Sequence, residues 1–343
     1  MKLYKDPNFA YAVGRIRAIE KRLLDKGKFE RMIESKAPEE VLKVASEAGY
    51  TESSSFSGNA VDYEVMLKEE ERKLYTLLKE ISAGSEVFDI FLLKNDYHNI
   101  KVILKSEFLG IEVDDSLLNT GVIPDSELKK IILDRDFDKL SQFLKDSSEH
   151  MKSSIEEVID TFNRTNDPRH IDLILDRAYF KHILDLSEKY GYSYVEDLIK
   201  IIIDMTNIKT FIRVKSLNMA IDLLKRSLIP GGIIDSSVYL ESYEKGLEAL
   251  LEKTKQTGYY NLISECINSY MQTGNFARLE KLLDDYVIDF VKKSKYKTLG
   301  IEPLIGYMIG KENEIKNVRI VMVGKINNIS NDIIRERLRE TYV

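Results

Sequence analysis

The residues with the greatest potential for chemistry form an acidic run in the last third of the sequence. Asp284 and Asp285 are followed by Asp289, and carboxylates that recur along a helix could hold Mg²⁺ and, through the metal, a diphosphate. The last aspartate lies one residue further along than a D-D-x-x-D spacing requires, and no second acidic cluster of the required kind accompanies it. We therefore interpret the run as helix surface, with a diphosphate-binding helical enzyme as the less favoured alternative.

Other patterns of catalytic or metal-binding residues are missing from the sequence. The histidines at positions 98, 150, 170 and 182 form neither an H-E-x-x-H nor a Glu-x-x-His pair, so zinc hydrolase and di-iron sites are not supported. Neither of the two glycine-rich nucleotide-binding patterns, G-x-x-x-x-G-K-[ST] and G-x-G-x-x-G, occurs. The single cysteine, Cys266, cannot form an intramolecular disulfide, which favours a reducing, cytoplasmic compartment. The sequence predicts no catalytic residue, no metal and no cofactor.

Charge and hydropathy exclude two further classes of protein. The net charge is −6, and Lys and Arg are interleaved with Asp and Glu rather than gathered into a basic stripe. Nucleic-acid binding is therefore not expected, because it draws most of its affinity from basic contacts to phosphates. No apolar stretch approaches the roughly 20 residues needed to cross a bilayer, and no signal peptide is evident. Any association with a membrane is expected to run through a partner.

A motif of the form acidic-x-x-Asn-aliphatic-basic occurs three times. Its asparagines are 108 and 110 residues apart. The acidic and asparagine positions are Asp96 and Asn99, Asp204 and Asn207, and Glu314 and Asn317. One such pattern is common, whereas three at nearly equal spacing indicate an internal repeat.

Two further markers support a period close to 108 residues. The sequences EVML, DLIL and EKLL begin at residues 64, 172 and 280, while FERM, FDKL and LEAL begin at residues 29, 137 and 247. The predicted repeats cover residues 1–113, 114–222 and 223–343. Because each is far longer than a single solenoid turn, we expect each to be a small bundle.

The elements that position these motifs are predicted to be helices. Only 6 Pro and 17 Gly occur in a chain rich in helix formers. Apolar residues recur every three or four positions, as in Phe9, Val13 and Ile16, and as in Leu198, Ile202 and Met205. Turn residues cluster at 36–38, 51–59, 166–168 and 230–232. The predicted fold class is all-α, built from three similar helical bundles of about 110 residues.

The motif residues have two expected roles. Side chains at i and i+3 share a helix face, so the acidic and asparagine side chains could bond one another or a neighbouring helix. They are expected to fix one helix against the next in every repeat. The basic residue that follows points elsewhere. Lys101, Lys209 and Arg319 could form a ring of like charge that contacts a partner if the repeats surround an axis; solvated surface residues are the plainer interpretation.

The ordered set of motifs resembles a known family. The matching segments are YAVGRIRAIE at 11–20, FLLKNDYHNIK at 91–101, DRAYF at 176–180, DMTNIK at 204–209 with Arg213, and ENEIKNVRI at 312–320. Together they resemble the C subunits of V/A-type rotary ATPases, whose counterpart in the eukaryotic V-ATPase is the d subunit. The resemblance spans essentially the whole chain.

The resemblance implies a specific architecture and role. Such subunits form three helical bundles in a pseudo-threefold, funnel-like arrangement at the cytoplasmic end of the membrane proteolipid ring. The funnel receives the shaft made by the D and F subunits and transmits torque, while catalysis and ion binding reside elsewhere in the complex. The alternative left open by the residues themselves is a generic α-helical scaffold in which the repeats stack as an open solenoid.

Overall fold

The computed structural model describes residues 9–50, 63–82, 85–111 and 117–343. Within these ranges the chain folds into helices and turns without a β-strand. The prediction of an all-α fold is therefore confirmed. The turn predicted at 51–59 and the boundary between the first two repeats at 113 and 114 lie outside the described residues.

Seventeen α-helices are found in the described part of the chain. The first nine are α1 Phe9–Ile19, α2 Lys26–Glu34, α3 Pro38–Glu47, α4 Tyr63–Ile81, α5 Asp89–Leu109, α6 Asp125–Leu133, α7 Ser141–Leu144, α8 Ser148–Thr165 and α9 Arg169–Tyr190. The remaining eight are α10 Ser193–Ser216, α11 Ile221–Ser227, α12 Ser236–Tyr243, α13 Leu247–Lys253, α14 Tyr260–Thr273, α15 Phe276–Lys292, α16 Glu302–Ile326 and α17 Asn331–Arg337.

The boundaries follow local chemistry at several points. Pro38 begins α3, where its missing N–H costs no hydrogen bond. Asn166 ends α8 in the left-handed conformation, with its N–H bonded to the carbonyl of Phe162, and Pro168 then precedes α9. The predicted breaks at 166–168 and 230–232 lie between helices, and the break at 36–38 ends on the first residue of α3.

The chain divides into two compact units, one formed by Met1–Ser85 with Asn261–Val343 and the other by Glu86–Tyr260. These limits cut within the first and third predicted repeats rather than between them. The division into 1–113, 114–222 and 223–343 therefore describes sequence repetition and stays a prediction as a description of domains.

In the Glu86–Tyr260 unit, α5 and α10 supply the most deeply buried helices. Both pack against α9, which also packs against α8, and α5 in addition contacts α6. Burial extends around α5 and α10 rather than along one stripe, as the consecutive buried residues Leu92 and Leu93 of α5 and Phe211 and Ile212 of α10 show. A helix that is apolar on most sides belongs in the middle of its bundle.

In the other unit, the last long helix is surrounded by the first part of the chain. Helix α16 packs against α1, α3, α4 and α15. One buried cluster contains Phe29 and Met32 from α2 together with Ile315, Val318 and Met322 from α16. Residues from the first and third repeats therefore share one hydrophobic core, and their burial stabilises the contact by about 1.5–3 kcal/mol for each large side chain.

Candidate functional site

The first motif lies on α5 and anchors the loop that precedes α6. Asp96 is fully buried and accepts hydrogen bonds from the backbone amides of Val122, at 2.8 Å, and Ile123, at 3.0 Å. One turn later, Asn99 donates to the carbonyl of Leu118 and accepts from the amide of the same residue, each at 2.8 Å. The two side chains thus provide hydrogen-bond partners for backbone groups of an irregular segment. Without these partners the backbone groups would be unsatisfied, which costs free energy.

The second motif lies on α10 and repeats this geometry. Asp204 accepts hydrogen bonds from the amides of Ile233, at 2.9 Å, and Ile234, at 3.1 Å. Asn207 bonds both backbone groups of Ile229, at 2.7 and 2.9 Å. Burial raises the pKa of Asp204, while the hydrogen bonds from Ile234 and Ile233 oppose that rise.

The third motif lies on α16 and uses the same asparagine contact with a different carboxylate contact. Asn317 bonds the amide of Arg339 at 2.9 Å and its carbonyl at 3.0 Å. Glu314 instead accepts a hydrogen bond from the amide of Leu24 and another, at 2.8 Å, from the hydroxyl of Tyr50. Lys311 lies 2.6 Å from the same carboxylate and balances its charge.

The three carboxylates contact equivalent points of the chain. Ile123 lies two residues before α6, Ile234 two residues before α12, and Leu24 two residues before α2. In each case the acidic side chain holds the amide that leads into a short helix. The carboxylates of α5 and α10 hold the segment that follows their own helix, whereas that of α16 holds a segment 290 residues earlier.

Two glycines permit the close approach at the aspartates. A Cβ atom on Gly121 would lie 2.3 Å from Oδ1 of Asp96, and one on Gly232 would lie 2.2 Å from Oδ1 of Asp204. Only a residue without a side chain allows the backbone amides to come this near. The sequence motif does not include either glycine. Their similar distance after each aspartate, 25 and 28 residues, is the signal that could have found them.

The three basic residues of the motif have different surroundings. Lys101 forms an ion pair with Asp176 at 2.5 Å, and its side chain is only 19% exposed. Arg319 pairs with Glu64, with nitrogen–oxygen distances of 2.7 and 3.0 Å. Lys209 forms no hydrogen bond or ion pair with any residue that the structure describes. Two of the three charges are thus already engaged within the chain, and a role in partner contact stays a prediction.

The acidic run on α15 is occupied by contacts within the protein. Asp284 lies 2.9 Å from Nε of Arg339 and also pairs with Lys316. Burial opposes ionisation of Asp284, but the attraction of Lys316 and Arg339 outweighs it and lowers the pKa. Asp285 accepts a hydrogen bond from the amide of Glu340 at 2.6 Å.

Asp289 faces Lys292 at 3.9 Å. Across residues 9–50, 63–82, 85–111 and 117–343, no group of three or more His, Cys, Asp or Glu side chains is placed to hold a metal ion. The arrangement of the three aspartates therefore favours a structural role at the end of α15 over diphosphate binding.

Two further reactive groups, His182 and Cys266, are buried. Burial lowers the pKa of His182 to about 3 and raises the pKa of the Cys266 thiol to about 12. At neutral pH the imidazole is therefore uncharged and the thiol is protonated. Among the described helices, none is both long enough and apolar enough to span a membrane.

Comparison with known proteins gives matches along the whole chain. A family model described as the ATP synthase (C/AC39) subunit matches residues 12–337, a range that includes all three motif helices. The chain is 27% identical to the C subunit of the V-type sodium ATPase of Enterococcus hirae, over 95% of this chain and 97% of the relative. It is also 27% identical to the C subunit of the A-type ATP synthase of Methanocaldococcus jannaschii, over 96% of this chain and 86% of the relative.

Proposed function

The chain belongs to the ATP synthase (C/AC39) subunit family, and we propose that it is the non-catalytic central-stalk subunit that couples the D and F shaft to the membrane proteolipid ring. The observation that carries this proposal is the family match over residues 12–337. In this role the protein is peripheral to the membrane on its cytoplasmic side and is held there by its partners.

A direct contact between the first and third repeats supports this proposal over an open, solenoid-like scaffold. In a solenoid each repeat contacts only its neighbours, so the last repeat does not meet the first. Here Glu314 of the third repeat holds Leu24 and Tyr50 of the first. Such a contact is expected when three bundles surround an axis, which is the funnel arrangement that we propose.

Stiffness is the property that torque transmission requires. A joint that passes a twisting force must not yield where one bundle meets the next. Each acid-asparagine motif fixes a loop to a buried long helix through three or four hydrogen bonds to backbone groups, with the bonding atoms excluded from water. Each bond contributes about 0.5–1.5 kcal/mol, and leaving its partner unsatisfied costs about 1–3 kcal/mol.

The proposed contacts with shaft and ring are polar and reversible. The surface carries many charged residues of both signs, with 51 Lys and Arg against 57 Asp and Glu in the whole chain. Interfaces built from such residues associate quickly and weaken as salt screens their charges. We therefore propose that the protein separates from the shaft more readily as ionic strength rises.

Affinity isolation from detergent-solubilised membranes tests this assignment. A tagged copy of the chain is expected to retain both the shaft subunits and the proteolipid at low ionic strength, and to lose the shaft subunits at about 1 M salt, where the Debye length is about 3 Å. Failure to recover any proteolipid at low salt would contradict the assignment. Retention of the shaft that is equal at both salt concentrations would contradict the proposed polar contact.

A further inference from the structure

A cavity of about 490 Å³ lies within the Glu86–Tyr260 unit, between α8 and α9, and extends to Arg226 of α11. Its volume is within the range of roughly 300–1,000 Å³ that is usual for small-molecule sites. None of the anchoring contacts described above uses the residues that line it. The cavity is therefore separate from the motif and requires its own explanation.

Three cationic side chains line the cavity. Arg177 and Lys181 are one helical turn apart on α9 and face the cavity together with Arg226. Arg177 and Lys181 form no hydrogen bond or ion pair with the described residues, and Arg226 meets Asp222 only at 3.7 Å. Two like charges at i and i+4 destabilise a helix unless an anion offsets them.

Nearby carboxylates do not neutralise Arg177 and Lys181. Asp176 and Asp172, on the same helix, are engaged by Lys101 and Lys105. Asp185 faces the ring of His150 at 3.4 Å. Glu157 is the carboxylate among the residues that line the cavity. The lining thus carries three cationic side chains against one carboxylate in a chain whose net charge is −6.

Apolar side chains line the cavity beside the cations. Leu173, Ile174 and Ala178 lie on the same face of α9 as Arg177 and Lys181, and Pro230 adds to the apolar lining. A site that combines guanidinium and ammonium groups with apolar side chains suits a ligand that carries both phosphate and an uncharged, planar or aliphatic group. A free inorganic anion would leave these apolar side chains without a contact.

We propose that this cavity binds an organic phosphate of about the size of a mononucleotide, with its phosphate groups held by Arg177, Lys181 and Arg226. Such a ligand would place small-molecule binding on a protein whose proposed role is mechanical. This inference goes beyond that role and does not depend on it, because it rests on the cavity alone.

Calorimetric titration of the purified full-length chain tests the proposal. ADP is expected to bind, pyrophosphate to bind more weakly because it has no group to contact the apolar side chains, and adenosine not to bind. Arg177→Gln with Lys181→Gln is expected to weaken ADP binding at least about tenfold, because it removes two of the three cationic donors to the phosphate groups. The matched control, Arg15→Gln with Lys43→Gln, removes the same charge from exposed positions in the other unit and is expected to change the affinity less than about twofold.

A second measurement locates the ligand. With four histidines in the chain, the imidazole signals can be resolved by NMR. ADP is expected to shift the signals of His150 and His170, which line the cavity, and to leave that of His98 in place. Shifts confined to His98 would place the ligand elsewhere and overturn the proposal.

The phosphate could also be carried by a lipid. One outcome is that ADP does not bind, while vesicles containing about 20% phosphatidic acid bind the unmodified chain but not the variant with Arg177→Gln and Lys181→Gln. That outcome supports a phosphate-binding cavity whose ligand is a lipid headgroup. The proposal is overturned if neither ADP nor these vesicles bind at about 1 mM ligand, if adenosine binds as tightly as ADP, or if only an acidic peptide such as oligoglutamate binds.

Discussion

The carboxylate of Glu314 accepts the backbone amide of Leu24, 290 residues earlier in the sequence. This contact joins the last long helix of the chain to the segment that leads into α2, and Tyr50 adds a second hydrogen bond at 2.8 Å. Both Tyr50 and Leu24 are almost completely buried. The first and third repeats are therefore linked by a polar contact within the core they share.

Removal of the Glu314 carboxylate is expected to destabilise the unit that contains it. Glu314→Ala leaves the amide of Leu24 and the hydroxyl of Tyr50 without their partner. It also removes the nearer of two carboxylates beside Lys311, the other being Glu70 at 3.5 Å. The expected cost is about 3–5 kcal/mol. Urea unfolding followed by circular dichroism measures the loss.

Two control variants show whether this loss comes from the buried contact. Tyr50→Phe removes a single hydrogen bond and is expected to cost about 1 kcal/mol. Glu156→Gln, on the exposed side of α8, is expected to change the free energy of unfolding by close to zero. If Glu314→Ala lowers the free energy of unfolding no more than Glu156→Gln does, the contact of Glu314 with Leu24 and Tyr50 is not important for stability.

The asparagine of the second motif is expected to be sensitive to a change of one atom. In Asn207→Asp, the amide donor to the carbonyl of Ile229 becomes an oxygen that repels it. The expected cost is about 2–4 kcal/mol, because a carbonyl is left unsatisfied and a charge is buried. Thermal unfolding provides the measurement, and Asn268→Asp, at an exposed position on α14, is the matched control. Similar melting temperatures for the two variants would be inconsistent with the anchoring role of Asn207.

Adding one methyl group at Gly232 is expected to disrupt the second anchor. The new Cβ would lie 2.2 Å from Oδ1 of Asp204, so Gly232→Ala must displace either the carboxylate or the loop. A loss of about 2 kcal/mol or more is expected from strain and broken hydrogen bonds, and urea unfolding measures it.

Gly14→Ala provides the opposite control for Gly232→Ala. Gly14 lies inside α1 with nothing within 4 Å of its added Cβ, so this substitution is expected to stabilise the protein by about 0.5–1 kcal/mol. If both substitutions stabilise the protein, the backbone of Gly232 does not lie as close to the Asp204 carboxylate as the structure places it.

The thiol of Cys266 is expected to report opening of its unit. Burial raises its pKa to about 12, so below pH 9 the group remains protonated, and it is fully enclosed. Labelling with a thiol reagent at pH 8 is expected to be slow in the native protein and fast in urea. Glu314→Ala is expected to accelerate native labelling because it loosens the same unit. Complete labelling of the unmodified native protein within minutes would contradict the burial.

The sequence predicts the fold class and the positions of the motif because both depend on local patterns. Helical periodicity and scarce Gly and Pro indicate α-helices without knowledge of their packing. The motif asparagines are identified by spacing alone. Their partners are not, because Leu118, Ile229 and Arg339 contribute backbone groups that any residue could supply.

One of the repeat markers aligns residues that are not structurally equivalent. Phe29 lies in α2, whereas Phe137 lies in a 3₁₀-helix after α6. Counting from the anchored amides, the residues equivalent to Phe29 are Leu128 of α6 and Tyr239 of α12, and all three are buried. The 108-residue match of Phe29 with Phe137 is coincidental, because the loop lengths differ between repeats.

Pairing of the basic residues could not be predicted from the sequence. Lys101 forms an ion pair with Asp176, and Arg319 forms one with Glu64. In both cases the partner lies on a helix that is distant in the sequence. Which acid faces which base depends on the rotation of two packed helices about their axes, and periodicity does not specify that rotation.

The proposal that this chain couples rotation to ion transport is tested most directly by ATP-driven ion uptake into membrane vesicles from cells that lack it. Vesicles without the chain are expected to show ATP hydrolysis by the peripheral part of the complex but no ion uptake, and addition of the purified protein is expected to restore uptake. Ion uptake that is equal with and without the chain, at matched rates of ATP hydrolysis, would contradict the coupling role.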